Sequence, residues 1–305
     1  MSPADVSSFR YTVRATPERA TVWGVLTRQL GASRALIRRL KATDGILLNG
    51  VPVKVHTPAH EGDALELRLP EPPSEGVDAE PVPLSILYED DDLIVLDKPA
   101  GIVVHPTHGC HHGTLANGLA YHYQARGLSF RCHPVHRIDR DTSGLVVFAR
   151  HTYAHQQLAE QLVAYKLDRE YWALVQGHVR EAQGVIEAPI ARLGGPGGYR
   201  AVADHGQPAL THYRVLEVSK TGEETLVGLT LETGRTHQIR VHMAHAGHPL
   251  LADKLYGSPH PVLGRQALHA RRLCFKHPRT QEAMTFEAPL PPDLADYVAA
   301  YFPRA

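Results

Sequence analysis

Residues 136–149 read HRIDRDTSGLVVFA, and the rest of the chain is interpreted outward from this stretch. Charged and ionisable side chains crowd its first half, and an apolar run with the pattern of a strand follows the TSG triplet. Asp139, between Arg137 and Arg140, is expected to stay ionised because nearby cations favour the charged form of a carboxyl group. Such a carboxylate suits a nucleophile or a base. On these residues alone, an ordinary ion-paired turn explains the pattern better than a catalytic group does.

Two further polar stretches lie on either side of it. LDKPAGIVVHP covers residues 96–106, and LETGRTHQIRVHMAHAGHP covers residues 231–249. The second contains a predicted short helix between Thr236 and Gly247, with Arg240 on a packed face. A buried arginine there requires a carboxylate partner. Apolar periodicity predicts strands at 86–88, 93–96, 145–149, 171–175, 213–218 and 226–231, and a helix around 155–162.

The composition is that of an ordinary globular protein. Of 305 residues, 43% are hydrophobic and 21% are charged, which argues against a largely disordered chain. No segment has the apolar length of a membrane helix or of a signal peptide, so neither a membrane partner nor export is expected. Three cysteines (Cys110, Cys132 and Cys274) are too few for a disulfide framework, and reduced thiols in the cytoplasm are expected. The 32 basic and 32 acidic residues balance, which alone counts against nucleic-acid binding.

The balance hides a basic segment at residues 1–70, which holds ten Lys or Arg against six Asp or Glu. Ser33 is predicted to cap a helix that carries an apolar stripe on one face and Arg34, Arg38 and Lys41 on another. We expect Gly45 to end that helix. The Asn-Gly pair at 49–50 predicts a tight hairpin between strands at 46–48 and 51–55, and a third strand follows at 65–69.

A proline-rich acidic stretch separates this segment from the rest of the chain. We interpret residues 71–83 as a linker, which divides the chain into domains at 1–70 and 84–305. The acidic run at 89–92 is interpreted as a solvated turn rather than a metal site. The glycine cluster at 194–198 is interpreted as a loop, because no Lys-Ser or Lys-Thr follows it as in a phosphate-binding motif.

The polar stretches resemble the motifs of the RluA family of RNA pseudouridine synthases. HRIDRDTSGLVVFA differs from the usual family form by Ile138 in place of Leu. KPAGIVVHP, GTLANGL, REYWALVQG, LETGRTHQIRVHM and LHARRLCFKHP follow the family order along most of residues 84–290. One departure is Ala252 in PLLADKLYG, where the family usually has Gly. Residues 1–70 resemble the small RNA-binding domain first known from a small-subunit ribosomal protein, although a solvated helix face explains their cations equally well.

This resemblance implies an α+β fold. The catalytic domain would have the mixed, largely antiparallel sheet of pseudouridine synthases, preceded by a small N-terminal α+β RNA-binding domain. Asp139 would be the essential carboxylate, Tyr171 an aromatic against the target uracil, and Arg240 the partner of Asp139. Arg137 resembles the residue that fills the space left by the flipped base, and a plain phosphate contact explains it nearly as well. The other residues expected to contact RNA are His136, Arg140, Lys98, Arg34, Arg38, Arg39 and Lys41.

The implied reaction is isomerisation of uridine to pseudouridine in RNA. The bond between the sugar and N1 of uracil breaks, the base rotates, and the sugar is joined to C5. Neither a cofactor nor a metal is expected, because no electrons, phosphates or acyl groups are transferred. Asp139 acts on the base or on the sugar, and Tyr171 can relay the proton lost from C5. Extrusion of the nucleotide favours loops and weakly paired sites. The basic segment favours large-subunit ribosomal RNA over transfer RNA, and a cytoplasmic monomer is expected.

Two other classes of protein stay open at this point. A histidine-based metalloenzyme is suggested by 21 histidines, with His108, Cys110, His111 and His112 close together and His242, His245 and His248 spaced by three. Neither an HExxH motif nor a pair of CxxC motifs supports it. The second is a non-catalytic RNA-binding protein on a synthase fold, against which intact Asp139, Tyr171 and Arg240 argue.

Overall fold

The structure is a computed structural model and describes residues 6–15, 17, 19–70, 77–107, 109–128, 133–194 and 198–303. Cys132, His108, the first half of the predicted linker (71–76) and the centre of the glycine cluster (195–197) lie outside the described residues. No helix in the described ranges is long and apolar enough to cross a membrane.

Residues 6–70 form an antiparallel sheet with helices packed against it. The strands are β1 (Val6–Thr12), β2 (Ile46–Leu48), β3 (Val51–Pro52) and β4 (Ala64–Pro70), in the order β1-β4-β2-β3. The helices are α1 (Val22–Gly24), which continues as a π-helical segment (Val25–Gln29), and α2 (Arg34–Ala42). Leu26, Ile37 and Leu65 are fully buried between the sheet and the helices, so this part has its own core.

The helix and hairpin predicted in this part are confirmed. The Ser33 hydroxyl accepts a hydrogen bond from a backbone N–H of the first turn of α2. Asn49 and Gly50 both have positive φ (50° and 82°), as the tight turn of a hairpin requires. Two boundaries differ from the prediction. Helix α2 ends at Ala42 rather than at Gly45, because the left-handed conformation falls on the residue before Gly45. The strand predicted at 51–55 is shorter and covers only Val51–Pro52.

The strands of the second part follow in chain order. They are β5 (Ser85–Glu89), β6 (Leu93–Lys98), β7 (His133–Pro134), β8 (Ser143–Ala149), β9 (Asp168–Gln176), β10 (Gln183–Glu187), β11 (Ile190–Arg192), β12 (Arg200–Val202), β13 (Leu210–Val218), β14 (Glu224–Leu231), β15 (Leu268–Lys276) and β16 (Ala283–Glu287). Within the described residues, ten of them form one sheet in the order β10-β13-β14-β9-β15-β8-β6-β5, with β16 beside β15 and β7 beside β8. Of these described strands, only β8 and β15 pair in parallel. This mixed, mainly antiparallel sheet confirms the predicted α+β class.

Helices cover both faces of this sheet. They are α3 (Leu115–Gln124), α4 (Thr152–Val163), α5 (Gln238–His245) and α6 (Pro292–Tyr301). Successive side chains of a strand point to opposite faces, and the apolar residues of β6 and β8 accordingly divide between two cores. One core includes side chains of α3 and α5, and the other includes side chains of α4. Ile138 lies in the first core, so the Asp139 loop is on the same side as α5.

Gly144 lies where the two parallel strands meet. Its φ is 108°, and an added Cβ would lie 2.7 Å from the backbone nitrogen of Ala270 in β15. A side chain at this position would push β8 and β15 apart. The TSG triplet therefore fixes the start of β8, and with it the end of the loop that carries Asp139.

Helix α4 joins the two parts of the chain. Tyr153 is 2% exposed and belongs to the core of the N-terminal part, where its ring lies 5.0 Å from Phe9 and its hydroxyl donates to the carbonyl of Leu30. Gln156 donates to the carbonyl of Gly31 and accepts from the N–H of Ser33. The described half of the predicted linker, residues 77–83, contains neither helix nor strand and bonds to the catalytic part through Asn117 and Gly113.

The acidic run at 89–92 is not the solvated turn that the sequence suggested. Asp92 is 2% exposed and accepts hydrogen bonds from His151 and Arg279. Burial alone would raise the pKa of Asp92, but these hydrogen bonds outweigh it and hold the pKa below its usual value. The Arg279 guanidinium also lies 4.9 Å from the ring of Phe9. The acidic run thus belongs to the contact between the two parts of the chain.

Candidate active site

Asp139 lies in the loop between β7 and β8 and lines an open cavity. Its carbonyl oxygen accepts a hydrogen bond from the N–H of Thr142 at 3.2 Å, which closes a turn immediately before β8. The cavity has a volume of about 1020 Å³, and Asp139, Tyr171 and Arg240 all line it. The side chain of Asp139 is 25% exposed, so a ligand in the cavity can reach its carboxylate.

Arg240 projects from α5 toward Asp139, as the predicted pairing requires. Its Nη1 lies 2.9 Å from Oδ2 of Asp139. The rest of the guanidinium fork binds Asp253, with Nε to Oδ2 at 2.7 Å and Nη2 to Oδ1 at 2.8 Å. Burial by itself would lower the pKa of Arg240, but the two aspartates outweigh burial and raise it. Arg240 is therefore a fixed cation shared by two carboxylates.

Asp253 is the part of this arrangement that the sequence did not predict. It is fully buried, and its Oδ1 also accepts hydrogen bonds from the backbone N–H groups of Leu255 and Tyr256. The residue before it, Ala252, has a φ of 57°, a left-handed conformation that favours glycine. The family resemblance noted in the sequence leads us to expect Gly at this position. Ala in place of Gly drew attention to this turn in the sequence. It did not reveal the ion pair, because the sequence around an Asp in a turn does not indicate which residue the Asp will bind.

Tyr171 lies on β9, in the wall of the same cavity. Its neighbours across the sheet are Leu229 and Ala270, and the side chain is 4% exposed. Burial raises the pKa of Tyr171; the charge of Arg169 opposes this shift, and the charge of Asp139 adds to it. At neutral pH the hydroxyl is therefore protonated. The structure brings Asp139, Tyr171 and Arg240 to one cavity, and their catalytic roles remain predictions.

Lys98 corrects one of the predicted RNA contacts. The side chain is completely buried, and its Nζ donates to the carbonyl oxygens of Pro99, Ile102 and Arg140, each at 2.8 Å. Burial lowers the pKa of Lys98 to about 7, although the charges of Asp141 and Asp139 oppose the shift. RNA cannot reach this amine, so the prediction that Lys98 binds RNA is wrong. Lys98 instead ties the end of β6 to the loop that carries Asp139.

His136 also differs from its prediction. Its ring lies in the cavity wall but is 7% exposed, and both ring nitrogens are buried without a hydrogen-bond partner among the described residues. Burial, reinforced by the charge of Arg169, lowers the pKa of His136 to about 3. A neutral ring buried in this way is not placed to bind a phosphate, and the predicted RNA contact of His136 is wrong in this conformation.

The remaining predicted RNA contacts are placed where RNA can reach them. Arg137 and Arg140 are exposed and line the cavity. The exposed cations of α2 are Arg34, Arg38, Arg39 and Lys41. Contact of these six side chains with RNA stays a prediction.

His237 is a second candidate that the sequence did not single out as part of the site. It caps α5 with a φ of 58°, and its Nε2 lies 3.8 Å from Oδ2 of Asp139. Its Nδ1 lies 2.8 Å from the hydroxyl of Tyr256. Burial lowers the pKa of His237, against the charge of Asp139. His237 thus lies beside the Asp139 carboxylate and lines the cavity.

In the described residues, the histidines that suggested the metalloenzyme alternative do not converge on a metal site. Both ring nitrogens of His242 are hydrogen-bonded within the protein, to Thr211 and to the carbonyl of Ala188. His248 bonds to a backbone carbonyl of β9. In the described part of the chain, the ligand atoms that do converge belong to Asp90, Asp92 and His277, and the ion pairs with His151 and Arg279 already hold this group.

Comparison with known proteins decides the family. A profile of the RNA pseudouridylate synthase family matches residues 92–245. The RNA pseudouridine synthase YhcT of Bacillus subtilis, which is named as uncharacterized, is 41% identical over 281 residues, covering 92% of this chain and 93% of that protein. The chain belongs to the RNA pseudouridylate synthase family.

Further similarities to pseudouridine synthases support this family assignment. Ribosomal large subunit pseudouridine synthase D of Nitrosomonas europaea is 48% identical over 231 residues, which are 73% of this chain and 66% of that protein. Among solved structures, human RNA pseudouridylate synthase domain containing 1 aligns with a TM-score of 0.59 at 28% identity, covering 74% of this chain and 91% of that one. The protein is thus an isomerase that converts uridine to pseudouridine in RNA, which decides against the metalloenzyme and the non-catalytic protein.

Proposed function

We propose that this pseudouridine synthase isomerises uridines of large-subunit ribosomal RNA, with Asp139 as its essential carboxylate. The observation that carries the assignment is the contact of 2.9 Å between Arg240 and Asp139 on the wall of a cavity that Tyr171 also lines. A nucleotide that leaves its stack and enters this cavity meets the carboxylate and an aromatic ring together.

Asp139 supplies the negative charge that the reaction uses. Acting as a nucleophile or a base, it promotes cleavage of the bond between C1′ of the ribose and N1 of uracil. The base then rotates, C1′ bonds to C5, C5 loses its proton, and N1 ends with one. Atoms balance without an added reactant. Arg240 holds Oδ2 of the carboxylate by a charge-assisted hydrogen bond, which fixes its orientation.

Tyr171 supplies an apolar ring and a protonated hydroxyl in the same wall. The ring lies against the uracil and limits its movement while the glycosidic bond is broken. Because the hydroxyl is protonated at neutral pH, it can act only as a relay, taking the proton from C5 as it gives its own proton to another acceptor. Arg137 and Arg140, exposed at the cavity, bind the backbone around the extruded nucleotide.

Two observations support ribosomal RNA as the substrate. The relative that is 48% identical is named as a large-subunit ribosomal enzyme. The N-terminal part presents the exposed cations of α2, which suit a structured RNA beyond the target nucleotide. The proposal includes a cytoplasmic monomer that needs no cofactor.

Mapping of pseudouridines in cells that lack the protein tests this assignment. We expect specific uridines of large-subunit ribosomal RNA to lose the modification, wild-type protein to restore them, and Asp139→Asn to restore none. Loss confined to transfer RNA would contradict the ribosomal substrate. Unchanged pseudouridines in both RNA classes would contradict the proposed function as a whole.

A further inference from the structure

An exposed aromatic side chain lies on the edge of the cavity, away from Asp139 in the sequence. Tyr165 lies two residues after the end of α4, and it is 57% exposed. Val163, at the end of α4, is 78% exposed. Both side chains line the cavity that contains Asp139. They form an apolar edge on a site whose other features are mostly polar.

The backbone at Tyr165 adopts a conformation that does not suit tyrosine. The N–H of Lys166 bonds to the carbonyl of Gln161, and the N–H of Tyr165 bonds to the carbonyl of Leu162, which is the hydrogen-bond pattern of a Schellman motif. Tyr165 occupies its left-handed position, with a φ of 55°. Glycine is the usual residue there, because a Cβ in this conformation is crowded by the following carbonyl.

The side chain of Tyr165 contributes little stability to offset this backbone strain. A buried aromatic ring would offset the strained backbone through removal of apolar surface from water, but Tyr165 leaves most of its surface exposed. Other exposed tyrosines, such as Tyr121 and Tyr301, lie in regular helices where no such strain arises. A strained residue that does not contribute to the core indicates a role in binding.

The surroundings of Tyr165 indicate the chemistry of the ligand. Arg137, Arg140 and Arg235 line the same cavity, and Lys166 is exposed beside Tyr165. An aromatic face among cations is the combination that binds single-stranded nucleic acid, because bases stack on the ring while the cations follow the phosphates.

We propose that Tyr165, supported by Val163, stacks against an unpaired nucleobase adjacent to the target uridine. The proposal rests on the proposed function, since the cavity must hold an extruded uridine. It adds that the enzyme binds an unpaired stretch of at least two nucleotides, one in the cavity and one on its edge. Tyr165 is then a positioning residue that holds the flanking nucleotide.

Binding and photocrosslinking of a short single-stranded RNA test the proposal. The probe is an oligonucleotide with 5-iodouridine on each side of a central uridine. We expect the wild-type crosslink to map to the peptide that contains Tyr165. Tyr165→Ala should bind about 5- to 100-fold more weakly and Tyr165→Phe within about twofold of wild type, because stacking needs the ring and not the hydroxyl. The matched control Tyr121→Ala should bind like wild type.

Stability gives a second and independent reading. Because glycine removes the strain, Tyr165→Gly should raise the melting temperature by roughly 1 to 4 °C while it weakens RNA binding. A merely structural role for Tyr165 predicts the opposite sign, with a lower melting temperature. A lower melting temperature would therefore contradict the proposal.

The outcomes separate this proposal from the proposed function. Suppose that wild-type protein forms pseudouridine but Tyr165→Ala binds the oligonucleotide as tightly as wild type. The stacking proposal is then wrong, and the proposed function is unaffected. A crosslink that maps only elsewhere, or no binding of the oligonucleotide by wild type, also overturns stacking. If the oligonucleotide crosslinks to Tyr165 but pseudouridines in cellular RNA do not depend on the protein, the proposed function fails, while the contact of Tyr165 with single-stranded RNA stands.

Discussion

Arg240 binds two aspartates at once, and this sharing determines how the Asp139 carboxylate is held. Two nitrogens of the guanidinium form a fork on Asp253, and the third contacts Asp139. Asp253 is fixed in turn by backbone N–H groups. The orientation of Asp139 therefore depends on a planar group with several donors, which an ammonium cannot reproduce.

Replacement of Arg240 should separate charge from geometry. Arg240→Met leaves both carboxylates without their cation and should cost about 3 to 5 kcal/mol of unfolding free energy. Arg240→Lys keeps the positive charge and should keep much of the stability that Arg240→Met loses. Its single-turnover rate should still be below that of wild type, because one ammonium cannot donate in one plane to the carboxylates of both aspartates. Melting temperature and single-turnover rate measure the two effects. Arg272→Met, which removes an exposed ion pair with Glu170, is the control and should cost at most about 1 kcal/mol. Wild-type values for both Arg240 variants would contradict the shared pairing.

His136 should make stability depend on pH. Its pKa is lowered to about 3 in the folded protein, so between pH 6.5 and 3 the unfolded chain binds the extra proton. The unfolding free energy therefore falls as the pH falls through this window, by about 1.4 kcal/mol per pH unit from this residue. Urea unfolding between pH 4 and 6 should show a shallower pH dependence for His136→Phe than for wild type. Parallel pH dependences for the two proteins would show that His136 is not buried as a neutral ring.

At the scale of single elements, the turn before Asp253 contains backbone strain that a substitution can remove. Ala252 has a φ of 57°, which costs about 1 to 2 kcal/mol for a residue with a Cβ. Ala252→Gly removes that cost but adds about 0.4 to 1 kcal/mol of chain entropy in the unfolded state, so we expect a net gain of up to about 1 kcal/mol. In the control Ala246→Gly, at the end of α5 with a φ of −73°, glycine should destabilise the protein. Denaturant unfolding measures both variants, and equal signs would contradict the explanation.

Helix α2 is the element of the N-terminal part that we predict to bind RNA, because its cations are exposed. Replacement of Arg34, Arg38 and Lys41 by Gln should weaken binding and flatten its salt dependence, by about 0.7 to 0.9 in the slope of log affinity against log salt for each phosphate that the variant no longer neutralises. A triple variant of Arg10, Lys54 and Arg180, exposed cations outside α2, is the control. If both triple variants change the slope equally, the cations of α2 have no special role in RNA binding, and the prediction is contradicted.

The same elements show what the sequence could reveal. Strands β6 and β8 were predicted because both of their faces are buried and their apolar runs are continuous. Strand β15 was not, because Arg271 and Arg272 interrupt its apolar pattern. The guanidinium of Arg271 lies 5.3 Å from the ring of Trp172, a contact between strands that local periodicity does not contain.

At the scale of the whole molecule, α4 connects the N-terminal part to the cavity that contains Asp139. Its 12 residues span about 18 Å. Tyr153 near its start belongs to the core of the N-terminal part, and Val163 at its end lines the cavity. The sequence predicted the helix and two domains, but it did not predict the contact between the domains. Nothing in the sequence distinguishes Tyr153 from a helix residue that packs in the core of its own domain.

The candidate site shows the same limit. The motifs included Asp139, Tyr171 and Arg240, which the structure brings to one cavity. Lys98 was expected to contact RNA, but its side chain is buried, which is rare for a lysine and which nothing in the local sequence indicates. Asp253 was not predicted at all, since its role depends on the position of α5 in three dimensions.

The most direct test of the central claim is the activity of Asp139→Asn on an RNA that wild-type protein converts. The amide keeps the shape of the side chain and its contact with Arg240 but removes the negative charge. We expect this variant to fold and to bind RNA like wild type and to form no pseudouridine in a single-turnover assay, while Asp141→Asn in the same loop stays active. Pseudouridine formed by Asp139→Asn, after mass spectrometry excludes deamidation back to Asp, would contradict the assignment of Asp139 as the essential carboxylate.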